Sequence, residues 1–573
     1  MRGLSGVEAL ERVRVSEERT FTPPLSERWD QMLTTSTRED KVDSINTEVG
    51  DMDNFDGIVI GSGIGGLTTA AILARYQGKR ILVLEQHFTP GGFTHGFERQ
   101  GKFHWDVGLH YVGGMAPGRT ERRVFDYISN DRLQWQKMPS LFEKFIYPDF
   151  SFAVYDDPDR YREDLSKLFP QEKRAIYRYF RDVQWAALGF GATMMLELLP
   201  PWLQTIARSG VRIFNRLARL STKTYLDRHF RDDKLKALLT SQWGDYGLPP
   251  SQSCFGVHSL IVTHYLGGAW YPVGGGKAIA QSIVPTIEAA GGKVITQRRV
   301  QQILLEGDRA VGVIVENCRN GTTETYYAPV IVSNAGAYNT YINLIPPDYP
   351  LSCRSAIKDF AKGSSMVTLY LGLKGNPQNL GFRGENHWIY SGYDHDQCMA
   401  GIPFQFAYLS FPSLKDPLVQ HHTAEVISHF DYDQVAQWQE QTWRHRDQDY
   451  LALKQKITAD LLRLVGQHYP SLVDIIAYTE LSTPLTVAHF DNSDRGAVYG
   501  IPCIPERFDQ QWIGSRTPIK NLYLTGTDAM SLGVVGAMMG GVKTAGIISG
   551  KFMGIMQAIH QPQSKSRLRP QYV

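Results

Sequence analysis

From Phe55 onward the apolar and polar positions change period twice within about thirty residues. FDGIVI holds a short unbroken apolar run, Ile58 to Ile60; in GLTTAAILARY the apolar residues Leu67, Ala70, Ala71 and Ala74 return at helical spacing; KRILVLEQ is a second apolar run that stops at Glu85. Short apolar runs bounded by glycine and charge predict buried strands, and the spacing between them predicts a helix. Residues 55–86 therefore read as a strand–helix–strand unit. Further on, 293–336 alternates as short strands with a hairpin turn at Asn320 and Gly321 and a last apolar run at Val330 to Val332. Residues 521–550 again run strand, glycine turn, acid, helix. GSSMVTLYLGLK (363–374) and PFQFAYLSFP (403–412) predict two more strands, with Phe404, Phe406 and Tyr408 at every second position. That aromatic face either lines an apolar tunnel or lies buried under a helical layer.

Between about 160 and 265 the pattern is helical. In LPPWLQTIARSGVRIFNRLARLSTK, Arg208, Arg212, Arg216, Arg219 and Lys223 recur every three or four positions and predict one basic stripe, with Trp202, Ile206, Ile213, Phe214, Leu217 and Leu220 on the other sides. Such a segment is either a membrane-surface anchor or an ordinary helix with its charged side in water.

A chain of 573 residues, 42% hydrophobic, fills two or three domains. Its net charge of +2 argues against a nucleic acid or other polyanion as the main partner. The five cysteines lie far apart without zinc or disulfide spacing and read as buried thiols in a reducing compartment. Residues 1–50 are polar, with no apolar core of signal-peptide length, and read as an extension. The most apolar stretch, 534–556, is interrupted by Lys543 and Lys551, so no spanning helix is expected. The adjacent His421 and His422 point apart in any regular structure, and no metal site is expected.

The chemistry begins at GSGIGG. Gly61 permits the tight turn off the strand, Gly63 removes a side chain that would block a pyrophosphate, and Gly66 lets the helix approach the sheet. The free N–H groups at the helix start then face an anion, and Glu85 ends the next strand where it can accept ribose hydroxyls. The chain after Glu85 turns to glycine and aromatics instead of further βαβ units, which points away from a separate NAD domain. Asp528, just past the 521–524 strand, is suited to a ribityl or phosphate-side hydroxyl. The helix starting near Gly533 would stabilise negative charge on a reduced flavin.

GSGIGG, VLEQ, GGFTHGF, YPVGGGKAIAQSI (271–283) and LTGTDAMSLGVVGAMMGG together resemble the FAD-dependent phytoene desaturase, carotenoid isomerase and retinol saturase superfamily, from about residue 55 to 555. DVGLHYVGG (106–114) and FPSLKDP (411–417) are similar to its retinol saturase branch. The resemblance implies an α/β, amine-oxidase-like flavoprotein: a Rossmann-like FAD-binding domain assembled from 51–150, 266–345 and 515–560, a helical, membrane-facing region at 151–265, a mixed-sheet substrate domain at 346–514, and a tail at 561–573. It implies that Gly65, Gly91, Gly92, Val300 and Gly536 join Gly61, Gly63, Gly66, Glu85 and Asp528 around FAD. It also implies a hydrophobic polyene substrate taken from a membrane, hence a peripheral protein on the cytoplasmic side. With no second nucleotide domain, NAD(P)H enters only as an indirect reductant.

Saturating a carbon–carbon double bond takes a hydride and a proton, and the proton must come from protein or water. An isolated polyene has no carbonyl to take up negative charge, so protonation first, followed by hydride capture, is the easier order. With ordinary pKa values near 6.5 and 10, His110 is the expected general acid and Tyr111 the expected orienting donor, and Asp106 the holder of their loop; a structural histidine bonding a backbone carbonyl near the cofactor is the other reading of His110. The leading expectation is a retinoid-saturating reductase. The alternatives are a carotenoid cis–trans isomerase or desaturase and, third, a non-enzymatic prenyl-lipid carrier.

Overall fold

In the computed structural model, which describes residues 54–561, two sheets meet around one deep cavity. The expected N-terminal extension (1–50) and nearly all of the tail (561–573) lie outside the described residues. The first sheet is wholly parallel, in the order Leu522–Leu524, Ile331–Ser333, Gly57–Ile60, Ile81–Leu84, Lys293–Ile295. Its middle strands are buried at every position because both faces are covered. The helices Ile64–Gln77, Lys277–Glu288 and Gly533–Ser549 pack on one side. A three-stranded meander, Arg298–Glu306, Arg309–Asn317 and Thr323–Tyr327, covers the other, and its second turn is at Asn320 and Gly321.

The second sheet has seven strands, in the order Ile476–Ser482, Met366–Leu373, Thr423–His429, Phe406–Ser410, Asn386–Tyr390, Leu141–Ile146, Ser151–Tyr155. All its pairs are antiparallel except Asn386–Tyr390 with Leu141–Ile146. This corrects the expected boundary at 150. The strands at 141–155 are built into the second sheet, because Phe142, Phe145 and Phe152 bury against its aromatics and the adjoining helices.

The helical region also departs from expectation. The helix Pro201–Phe214 stops where Asn215 turns inward and donates to Thr193 Oγ1 at 2.7 Å. Only Arg208 and Arg212 stay on that helix; Arg219 pairs with Asp509 at 2.6 Å, and Lys223 sits on the next helix, Thr222–His229. The single basic stripe is therefore broken. Trp202, Ile206 and Ile213 are exposed, and the side chain of Phe214 lies outside the described part. Of the cysteines, Cys254, Cys398 and Cys503 are buried, while Cys318 is exposed, contrary to the expectation of five buried thiols. No helix among the described residues is long and apolar enough to cross a membrane.

Candidate functional site

The cavity, about 390 Å³, runs from the glycine turn of the parallel sheet to the aromatic face of the seven-stranded sheet. At the turn, Gly61 has φ +89°, a left-handed conformation that favours glycine. The helix Ile64–Gln77 starts without any side-chain cap, so its first N–H groups are open toward the cavity. The side chain of Asn334 fills the room left by the glycines: a Cβ on Gly63 would lie 2.7 Å from its Nδ2, and one on Gly526 2.4 Å from its Oδ1. A Cβ on Gly65 would come within 2.4 Å of the Gly526 Cα, and one on Gly66 within 2.3 Å of the Gly61 carbonyl. Gly61, Gly63 and Gly65 thus floor the cavity, while Gly66 brings helix and strand together.

Glu85 lines this end. Its Oε2 accepts from the Ser62 N–H (2.8 Å) and hydroxyl (2.6 Å), its Oε1 from the His87 N–H (2.8 Å). A carboxylate accepts about four hydrogen bonds, so these leave room for a hydroxyl from a ligand. Asp528 also lines the cavity, holding the Ala337 and Ile501 N–H groups at 2.7 and 2.9 Å. It ties together three segments far apart in the chain. Gly91, Gly92 and Val300 complete the wall. Gly536 does not reach it; it lies inside the helix Gly533–Ser549 against the Ser531 carbonyl, and Gly533, Val534 and Ala537 face the cavity in its place.

At the far end, Trp388, Phe406 and Tyr408 form an aromatic wall. Phe404, expected to share it, packs instead with Phe430 on the helical side of the sheet. The hairpin ending at Phe103–Asp106 delivers the DVGLHYVGG loop here. Asp106 accepts the Gly276 N–H at 2.8 Å and the Tyr271 hydroxyl, and Val112 pairs with Trp270, so the loop is clamped at both ends.

His110 faces the cavity. Its ring lies edge-on to Tyr408, with centroids 5.2 Å apart, and its Nδ1 is 3.0 Å from Glu425 Oε2, although out of line for a well-formed hydrogen bond. Tyr111 turns away, donating to Asp245 Oδ2 at 2.7 Å. It is Asp245 that lines the cavity. Behind His110 stands the buried Lys415, whose Nζ donates to the His110 carbonyl (2.9 Å), Asn386 Oδ1 (2.6 Å) and Ser410 Oγ (2.8 Å).

Burial governs the charges. It pulls the His110 imidazole down to about 3, helped by the Lys415 ammonium, so His110 rests neutral. Burial pushes Glu425 up to about 8, Asp106 and Asp245 up to about 7, and Glu143 well above the carboxylate range. Lys415 is drawn down to about 8. The expectation of an imidazolium poised near 6.5 is therefore corrected: desolvation leaves the proton on the acids around His110.

Sequence reasoning missed Glu425, Glu143, Asp245, Lys415 and Asn334. The signal for two of them is an acid inside an apolar strand, in LFEKFI (141–146) and TAEVISH (423–429). Register then aligns them: Tyr370 stands opposite Glu425, Glu425 opposite Ser410, and Asn386 opposite Glu143.

Residues 59–128 match the NAD(P)-binding Rossmann-like domain family. The chain is 34% identical over 527 residues to the all-trans-retinol 13,14-reductase of Danio rerio, across 87% of this chain and 86% of that protein. It is 26% identical over 530 residues to prolycopene isomerase 2 of an Oncidium hybrid cultivar, across 87% and 84%. Its fold is similar to that of the cyclohexylamine oxidase from Brevibacterium oxydans, with a TM-score of 0.56 and 15% identity over 89% of this chain and 100% of that one.

Proposed function

This chain belongs to the all-trans-retinol 13,14-reductase family, and from that premise we propose that it is an FAD-dependent oxidoreductase that saturates a carbon–carbon double bond of a retinoid. The observation that carries this reading is the continuity of the cavity: one end is a glycine cradle for a dinucleotide, the other an aromatic wall with a single imidazole. The residues fit FAD. Gly61, Gly63 and Gly65 with the open helix start suit the pyrophosphate, Glu85 the ribose, Asp528 the ribityl side, and the uncapped helix start at Gly533 the flavin ring. Bound there and reduced, FAD supplies the hydride.

The protein's part is to orient and to move a proton. Trp388, Phe406 and Tyr408 bind the polyene by its faces and exclude water. His110, clamped by its own carbonyl to Lys415, presents a ring nitrogen to the substrate as proton carrier. Tyr111 steadies Asp245 at the cavity wall. NAD(P)H would serve only as an indirect reductant.

The substrate comes from a membrane surface. On the helix Pro201–Phe214, Trp202, Ile206 and Ile213 fall within about 40° of one another at roughly 100° per residue, and they are 70%, 66% and 81% exposed. Arg208 and Arg212 lie together on one side of that stripe, roughly 80–120° from its near edge, where they suit anionic headgroups.

The likeness to a prolycopene isomerase favours a second reading, a redox-neutral cis–trans isomerase. Anaerobic incubation of the reduced FAD-loaded protein with all-trans-retinol and with a poly-cis carotenoid separates them. A gain of two hydrogens in retinol is expected; unchanged mass with altered geometry in the carotenoid alone supports the isomerase, a loss of two hydrogens a desaturase, and a protein that holds no flavin ends both leading readings.

A further inference from the structure

A neutral His110 cannot by itself be the source of the proton it delivers, and the groups behind it form a path. Glu425 is fully buried in the seven-stranded sheet, its Oε2 3.0 Å from His110 Nδ1. Neither of its carboxyl oxygens has a well-formed hydrogen bond, and the same is true of Glu143 Oε1, Asn386 Nδ2 and the Tyr408 hydroxyl. These unpaired buried polar atoms cluster around His110, where each is costly to keep enclosed. On the other side of Lys415 a second cavity of about 420 Å³ opens to the surface. Its rim is the exposed Gln136, Lys137, Arg383 and Pro417, and Lys415 lies in its wall. His110 lines the first cavity and Lys415 the second, and the bond from Lys415 Nζ to the His110 carbonyl joins the two walls.

We propose that Glu425 is the proton store that serves the aromatic-walled cavity through His110, and that Lys415 links it to the surface cavity; this rests on the reading of His110 as the proton carrier. In the step, the O–H bond of Glu425 breaks and an N–H bond forms at His110 Nδ1, as the N–H bond at Nε2 breaks and that proton passes to the substrate carbon. Imidazole stays neutral, ending as the Nδ1–H tautomer that proton exchange with water returns to the Nε2–H form before the next turnover, so no cation need be made in the enclosed site. The Glu425 carboxylate then regains a proton from water entering past Lys415 from the surface cavity, while the Lys415 ammonium offsets its charge. These residues move no electrons. The groups facing Glu425 are Asp106, His110, Tyr271, Tyr370, Tyr408 and Lys415. One ammonium among several enclosed carboxyls cannot hold them all ionised, so a proton is retained there.

Two measurements on the FAD-loaded protein test this. Infrared difference spectra taken below and above pH 8 should show a protonated-carboxyl band that disappears as pH rises. Glu425→Gln should remove that component, and Lys415→Met should shift its midpoint upward, because the cation favouring the carboxylate is gone. In anaerobic single turnovers, Glu425→Gln should slow product formation by roughly 100-fold or more and abolish the alkaline limb of the pH profile, with the flavin spectrum unchanged. A band and a midpoint unaltered by either substitution overturn the proposal; so does a Glu425→Gln protein with wild-type rate and pH profile while the wild type still saturates retinol. If the wild type converts no polyene, the functional reading falls and the infrared result alone decides for or against the proton store. If Glu425→Gln does not fold, the Lys415→Met midpoint decides.

Discussion

His110 and Tyr111 are adjacent in sequence and end in different environments. The first faces the cavity beside Glu425; the second reaches Asp245 from behind the wall. Their substitutions should therefore differ in kind. His110→Gln should cut turnover by roughly 100-fold or more and leave flavin absorbance intact, since His110 takes no part in the glycine cradle. Tyr111→Phe should keep turnover within about tenfold and lower stability by about 1–3 kcal/mol, the cost of leaving the enclosed Asp245 without its donor. Steady-state kinetics and urea unfolding of the two variants decide this; a Tyr111→Phe protein as inactive as His110→Gln would make Tyr111 a direct participant. The sequence pattern showed that this loop carried proton-bearing side chains. Which of them faces the cavity depends on the clamp from Asp106 to Gly276 and Tyr271, whose partners are far along the chain.

Among the elements, the glycine-bearing helices separate tight packing from free space. On the helix Ile64–Gln77, Gly65→Ala would drive a methyl into the Gly526 backbone. It should destabilise by about 1–3 kcal/mol and release FAD, read as lost absorbance after gel filtration. On Pro201–Phe214, nothing lies within 4 Å of a Cβ at Gly210, so Gly210→Ala should stabilise by roughly 0.5–1 kcal/mol. Changing Trp202, Ile206 and Ile213 together to Ser should sharply weaken sedimentation with anionic phospholipid vesicles without lowering the melting temperature, because these side chains are exposed; unchanged sedimentation would discard the membrane contact. The strand–helix–strand unit was legible because its signal is local, an apolar run changing to helical spacing at Gly61. The place of Leu141–Ile146 was not, because its partner Asn386–Tyr390 is remote and only that pairing assigns it to a sheet. The basic stripe was misread for a related reason: spacing predicted one helix, and the inward turn of Asn215 toward Thr193 ended it.

Taken as one molecule, the protein buries ionisable groups of both kinds, and their opposed shifts set a stability optimum. Glu425, near 8, and Asp106, Asp245 and Asp491, near 7, bind their protons more tightly folded than unfolded. Their contribution is whole below the ordinary carboxyl range of about 4 and is lost as pH rises through 7 and 8. His110, His258 and His395, near 3, and His87, His264 and His429, near 4, are held neutral and outnumber those carboxyls. Their contribution is present above about 6.5 and is lost as pH falls toward those values. Between 6.5 and 8 the histidines are neutral in both states, and the four carboxyls outnumber Lys415, which loses its proton only near 8, so each net proton taken up on folding lowers stability by about 1.4 kcal/mol per pH unit. The melting temperature, with cofactor content held constant, should thus peak between about pH 5 and 6.5, fall toward pH 8, and fall again on the acid side. A melting temperature that holds level or climbs between pH 6.5 and 8 would mean that the carboxyls around His110 are ionised in the folded protein, and with them the proton store that the cavity is proposed to use.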